Sequence, residues 1–225
     1  MKKLRILDLV EFNRKSDRSK LTHVTNFQKE KNDSEKEKNE SGGDYWVSCN
    51  SAIVKYFKSE DEKILRTKID QLLKMIENSP RKQTKDRFQA NIEIIQNFSS
   101  FNIKEIKPYQ EISILKKEEK YPKIKIENLT IEVKPDVIFS FNENKIGSVW
   151  FLTKKGGFNS NELAMFSDIL FRYINKTYSN KFEIIFDNLI VVDVFNSSYL
   201  TYNQVNEGEI KSPLIDVIKD FKNLM

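Results

Sequence analysis

Residues 137–154, Val137-Ile-Phe-Ser-Phe-Asn-Glu-Asn-Lys-Ile-Gly-Ser-Val-Trp-Phe-Leu-Thr-Lys154, decide how the second half of this chain folds. Val137 to Phe141 is rich in β-branched and aromatic residues, Asn142 to Lys145 is a polar turn, and Ile146 to Lys154 returns to the same apolar chemistry. That pattern predicts an antiparallel hairpin. Alternation along its second strand places Trp150, Leu152 and Lys154 on one face and Val149, Phe151 and Thr153 on the other.

The signals on either side extend this hairpin into a sheet. Upstream, Lys123-Ile-Lys-Ile-Glu127 alternates with period two, and Leu129-Thr-Ile-Glu-Val133 continues the extended pattern beyond a turn at Asn128. Pro135 has no N–H to give a ladder and fits a strand start or an edge. Downstream, Gly156-Gly157 breaks the strand. Asn159 then reads as a helix N-cap, with Glu162 three positions on in the pattern of a capping box. Leu163, Phe166, Ile169, Leu170, Tyr173 and Ile174 supply that helix's apolar face. Asn188 to Phe195 is a buried strand, and Leu214, Val217, Ile218, Phe221 and Leu224 form an amphipathic helix after Pro213. The order predicts an α+β fold, a central mixed β-sheet flanked by helices.

The first half is less regular. Leu4 to Phe12 reads as a strand ending in the polar Asn13 to Ser19. Gln28 to Gly43 has no aliphatic or aromatic side chain to bury and reads as a solvated insertion. Tyr45 and Trp46 follow two glycines and offer either a base-stacking platform or an anchor that holds a loop on the core. Leu65, Ile69, Leu72, Leu73 and Ile76 mark one helix, stopped at Ser79-Pro80, and Phe88, Ile92, Ile95 and Phe98 mark a second. Between them Arg81, Lys82, Lys85 and Arg87 make a basic turn, either a phosphate contact or a solvated charge run. A boundary near Asp61 would separate residues 1–60 (strand, polar insertion, aromatic segment) from a core over 61–225.

The chain has 225 residues, enough to bury a substantial core. Lys and Arg total 38 against 33 acids, a net charge of +5 that favours nucleic acid or another anionic partner only mildly and that a Lys-, Asn- and Ile-rich composition explains as well. The lone Cys49 cannot form an intramolecular disulfide, and no apolar run has the length of a signal or a membrane span, which places the protein in the cytoplasm with no membrane partner.

A helical region, a strand, a hairpin opening at Pro135-Asp136, a lysine-ended strand, a helix and a further strand together resemble the core of the PD-(D/E)XK nuclease-like superfamily, over residues 84–195. The resemblance implies a restriction-endonuclease-like core (helix-strand-strand-strand-helix-strand) and a metal-dependent nuclease acting on DNA or RNA, as in defence or mobile-element systems. It implies Asp136 as a ligand of Mg²⁺ or Mn²⁺ and Lys154 as the cation that positions the attacking water. A divalent ion polarises the phosphate and lowers the pKa of its water, and hard cations take carboxylate oxygens. The chain departs from the family pattern two positions before Lys154, where Leu152 stands in place of an acid. Glu162 on the next helix, as a second metal ligand, or Glu93 on the preceding one would complete the site. Each has a plain structural alternative: Glu162 as a capping-box partner, Glu93 beside an apolar stripe, Asp136 as a turn residue.

The competing reading is a catalytically inactive nuclease-like module that binds a protein partner in a multi-component system, or nucleic acid, and the absent carboxylate at Leu152 favours it. Other chemistries lack the residues. His23 and Cys49 are the only histidine and cysteine, so their side chains alone make neither a zinc cluster nor a metalloprotease helix. Gly156-Gly157 belongs to no GxGxxG or Walker pattern.

Overall fold

The computed structural model describes residues 4–29, 46–107, 111–116 and 122–225. The chain opens with a two-residue strand β1 (Leu4–Arg5) and the helices α1 (Ile6–Asn13) and α2 (Asp17–Gln28). Three longer helices follow, α3 (Val47–Ser59), α4 (Lys63–Asn78) and α5 (Lys82–Ser99), then the short strand β2 (Ser113–Ile114). Strands β3 (Lys123–Ile126), β4 (Leu129–Glu132), β5 (Val137–Phe141) and β6 (Lys145–Leu152) run consecutively into α6 (Ser160–Tyr178). β7 (Glu183–Asp193), β8 (Ser198–Thr201), α7 (Tyr202–Asn206) and α8 (Leu214–Asn223) complete the chain.

The strands form two mixed sheets. The larger has the order β2-β5-β6-β7-β8, with β6 and β7 parallel and the other pairs antiparallel. The hairpin expected at 137–154 pairs Val137 with Val149 and Phe141 with Lys145. Its turn places Asn142 and Glu143 at φ 47° and 65°, the left-handed geometry that a tight hairpin needs. Glu127 and Asn128 do the same between β3 and β4, which with β1 make the smaller sheet, β1-β4-β3. Helix α6 is the crossover between the parallel β6 and β7.

Each face of the larger sheet carries its own apolar core. On one face Ile138, Leu152, Leu189 and Val191 pack with α1, α2, α6, α8 and the small sheet. On the other, Val137, Phe139, Val149, Phe151, Ile190 and Val192 pack with α3, α4 and α5. The alternation expected for β6 is therefore present, with Trp150 and Leu152 on the first face and Val149 and Phe151 on the second. Phe151 stands edge-on to both Phe57 and Phe98, each 5.7 Å away between ring centroids, which adds about 0.5–1.5 kcal/mol per pair beyond burial. A Cβ at Gly147 would come within 2.6 Å of the Phe139 ring, so only glycine lets that ring lie across β6.

Residues Leu4 to Phe12 correct the strand expectation: only Leu4–Arg5 is extended, paired in parallel with Ile131–Glu132, and a helix starts at Ile6. The segment fits both periods, because Ile6, Leu9 and Val10 recur at helical spacing. Asp8 decides it locally, its carboxylate accepting from the Arg5 backbone N–H at 2.9 Å and from the Arg5 guanidinium at 2.8 Å. Helices α2, α3 and α7 and strands β2 and β8 are further elements that the pattern did not mark, and residues 123–133, expected to extend the sheet of the hairpin, instead form β3 and β4 of the separate smaller sheet, while β2 takes the place beside β5. The helices expected around residues 65–76 and 88–98 are α4 and α5, with Leu73 left exposed.

There is no break in packing at Asp61. β1 joins β4, α1 packs on α6 and α8, and α3 packs on α4 and α5, so residues 4–29 and 46–59 belong to the two cores. Most of the polar insertion and Tyr45 lie outside the described residues. Among the described residues no helix is long and apolar enough to cross a membrane.

Candidate functional site

Beyond Leu152, the chain leaving β6 separates two charged regions. Towards α1 and α6 lies a closed network. Asn159 caps α6, accepting from the Glu162 N–H at 3.0 Å, while a Glu162 carboxylate oxygen accepts from the Asn159 N–H at 3.0 Å, the expected capping box. Glu162 does more than cap. Its two oxygens also accept from Nε and Nη2 of Arg14 at 2.5 Å each, and Nη2 donates further to the Gly157 carbonyl at 3.0 Å.

Lys154 belongs to the same network, its ammonium donating to Glu11 at 3.3 Å. Burial pushes the Glu162 carboxyl up, but the Arg14 hydrogen bond, the Asn159 N–H and the charges of Arg14 and Lys154 together outweigh it and hold the group below its ordinary value. The Glu162 hydrogen bond is likewise the main influence raising Arg14. Helix α1 thus contributes Glu11 and its C-cap contributes Arg14, and the basic and acidic side chains beside β6 neutralise one another.

Asp193, at the end of β7, supports this network from below. It is fully buried and accepts from the backbone N–H groups of Phe158, Phe195 and Asn196 at 2.7, 3.0 and 3.3 Å, and from Asn196 Nδ2 at 2.8 Å. Gly157 passes directly over it at φ 65°, where a Cβ would collide with the Asp193 and Asn196 side chains.

Towards α3 the second region is open. A cleft of ≈ 570 Å³ is lined by Trp46, Asn50, Val54, Lys55 and Lys58 together with Asp136 and Thr153. Helix α3 is held there from both sides. The buried Asn91 of α5 accepts from the Cys49 N–H at 3.2 Å, occupying a donor of the first turn that has no partner within the helix, and Asn50 is hydrogen-bonded to Thr153. Asp136 precedes β5; its N–H donates to the Val149 carbonyl at 3.1 Å and its carboxylate accepts from the Phe151 N–H at 2.8 Å, so it prolongs the β5–β6 pairing. Lys55 and Lys58 are exposed and stand in no ion pair among the described residues.

The sequence-derived candidates are therefore divided. Lys154 and Glu162 come together in the α1–α6 network, Asp136 lines the α3 cleft, and Glu93 is exposed on α5. Among the described residues no three His, Cys, Asp or Glu side chains are grouped to hold a metal ion. At Glu162 a divalent ion would have to displace a guanidinium already hydrogen-bonded to both oxygens, so the residues gathered there do not fit Mg²⁺ or Mn²⁺. Arg81, Lys82, Lys85 and Arg87 sit at the start of α5. Cys49 is buried, and burial pushes its thiol up to about 12 against the pull of its own and the Asn50 backbone N–H, far from a reactive thiolate.

Glu11, Arg14, Asp193, Lys55 and Lys58 were not singled out from the sequence. A helical reading of residues 47–59 would have aligned Ser51, Lys55 and Lys58 on one face, at i, i+4 and i+7. Compared with known proteins, the chain matches no family model, no curated protein and no solved structure.

Proposed function

We propose that this chain is a nuclease-like module that binds nucleic acid through the α3 cleft without cutting it. The order of α5, β2, the β5–β6 hairpin, α6 and β7 supports the restriction-endonuclease-like reading of its core, with β3 and β4 inserted after β2. The observation that carries the binding role is the contrast beyond β6. Lys154 and Glu162 are neutralised by Glu11 and Arg14, whereas among the described residues Lys55 and Lys58 face a cleft without a paired acid. Phosphate oxygens take such cations readily. Leu152, buried among apolar neighbours, leaves the strand without the carboxylate a hydrolytic metal would need.

The test incubates the protein with labelled single- and double-stranded DNA and RNA in Mg²⁺ or Mn²⁺, following cleavage on gels and binding by fluorescence anisotropy. Expected are intact substrates and binding that weakens about tenfold or more in the Lys55→Glu/Lys58→Glu double variant. Metal-dependent cleavage abolished by both Asp136→Ala and Lys154→Ala would overturn the proposal in favour of an active nuclease. Binding to none of the four substrates would overturn it outright.

A further inference from the structure

The α3 cleft does not stand alone. A second cleft, of ≈ 280 Å³, opens between α3 and α4 and is lined by Lys63, Thr67, Lys68 and Gln71, with Asp61 at its edge. Ser51 and Lys55 border both clefts, so one face of α3 is the shared wall between them. Along the two clefts the cations are Lys58, Lys55, Lys63 and Lys68, against the two acids Asp136 and Asp61. Asp136 already accepts the Phe151 N–H and Asp61 the Lys63 N–H at 3.0 Å, while none of the four lysines has an ion-pair partner among the described residues.

We infer that the two clefts form one continuous track for a single-stranded nucleic acid, running from Lys58 over Lys55 to Lys68. The inference rests on the nucleic-acid reading above and adds the strandedness and the path. The track combines basic side chains with recessed apolar walls, Val54 in one cleft and Ile64 in the other. A duplex offers phosphates outside and keeps its bases stacked inside, so recessed apolar walls give it nothing; a single strand presents both a charged backbone and free base faces. The helix between the clefts suits a flexible strand that bends over a ridge and not a stiff rod, whose persistence length is about 150 base pairs.

The experiment uses a fluorescein-labelled oligothymidylate, alone and annealed to oligoadenylate, with the wild type and the Lys55→Glu, Lys68→Glu and Lys176→Glu variants, each checked by circular dichroism melting. Lys176 is exposed on α6, away from the track, and serves as the charge control. Expected are binding to the single strand about tenfold tighter than to the duplex, losses of about tenfold for Lys55→Glu and Lys68→Glu, and no loss beyond twofold for Lys176→Glu. Four phosphate contacts set a log–log salt slope of about −3.

Duplex bound as tightly as the single strand, or Lys68→Glu behaving like Lys176→Glu, would overturn the track while leaving nucleic-acid binding itself intact. Absence of binding to either probe would instead overturn the function proposed above, and the track with it.

Discussion

Two sets of charges flank the end of one strand, and they differ in what surrounds them. On the α1–α6 side, Glu11, Arg14, Lys154 and Glu162 meet as acid–base pairs over the buried Asp193. On the α3 side, Lys55 and Lys58 project into a cleft in no ion pair among the described residues. Charges taken out of water must be paired and hydrogen-bonded; charges left in water cost little and stay available to an incoming anion. The first set therefore fastens α1 to α6 and β6, and the second is the one a ligand can use. Lys154, a candidate site residue of the sequence, lies in the first set, which shows that residue type and spacing do not reveal which role a charge has.

The comparison is most severely tested at Asp193. Replacing it by Ala leaves three backbone N–H groups and the Asn196 amide without their acceptor, and destabilisation of about 3 kcal/mol or more is expected in urea unfolding. A loss under 1 kcal/mol would break the view of this region as structural. Gly157→Ala should cost about 2 kcal/mol, because it adds a Cβ at positive φ against the Asp193 and Asn196 side chains; an unchanged melting temperature would refute it.

Glu162→Gln should cost about 1–2 kcal/mol at neutral pH by weakening the charge-assisted bonds to Arg14. The sign of its pH dependence follows from the lowered value. A carboxyl whose folded pKa lies below its unfolded one contributes its full stability above the unfolded value and loses it as pH falls through the folded value. The gap between wild type and Glu162→Gln should therefore narrow as melts are taken from pH 7 to below roughly pH 4. A gap that widens on acidification would contradict the Arg14 assignment. On the open side, Lys58→Ala should change stability by less than about 0.5 kcal/mol while lowering affinity for nucleic acid. A large stability loss there would erase the distinction between the two regions. The smallest effect is expected of thiol reagents on Cys49, whose buried thiol should react only on unfolding, as followed by mass spectrometry.

Much of the second half was legible because local chemistry and global packing agree there. The hairpin at 137–154, the Asn159–Glu162 capping box, the apolar face of α6 and that of α8 all appear where alternation, turn residues and helical spacing put them. In the first half the same rules met segments with two readings. Leu4 to Phe12 carries apolar residues at both strand and helix spacing, and α3 contains Ser, Cys, Asn and Val, which have no strong helical preference. Of the candidate site, Glu162 as a cap was legible, but Arg14, which lies 148 positions away in sequence, was not.

The sequence by itself determined the α+β class, the β5–β6 hairpin and the helix that follows it, because each rests on contacts between residues near one another in the chain. Only the tertiary contacts show which charges are spent in pairs. They bring Arg14 to Glu162 and Glu11 to Lys154, and they set α3 beside Asp136 through Asn91 and Thr153. Local pattern reports the period of a segment, whereas the ionic partner of a side chain depends on which distant segment the two cores bring against it.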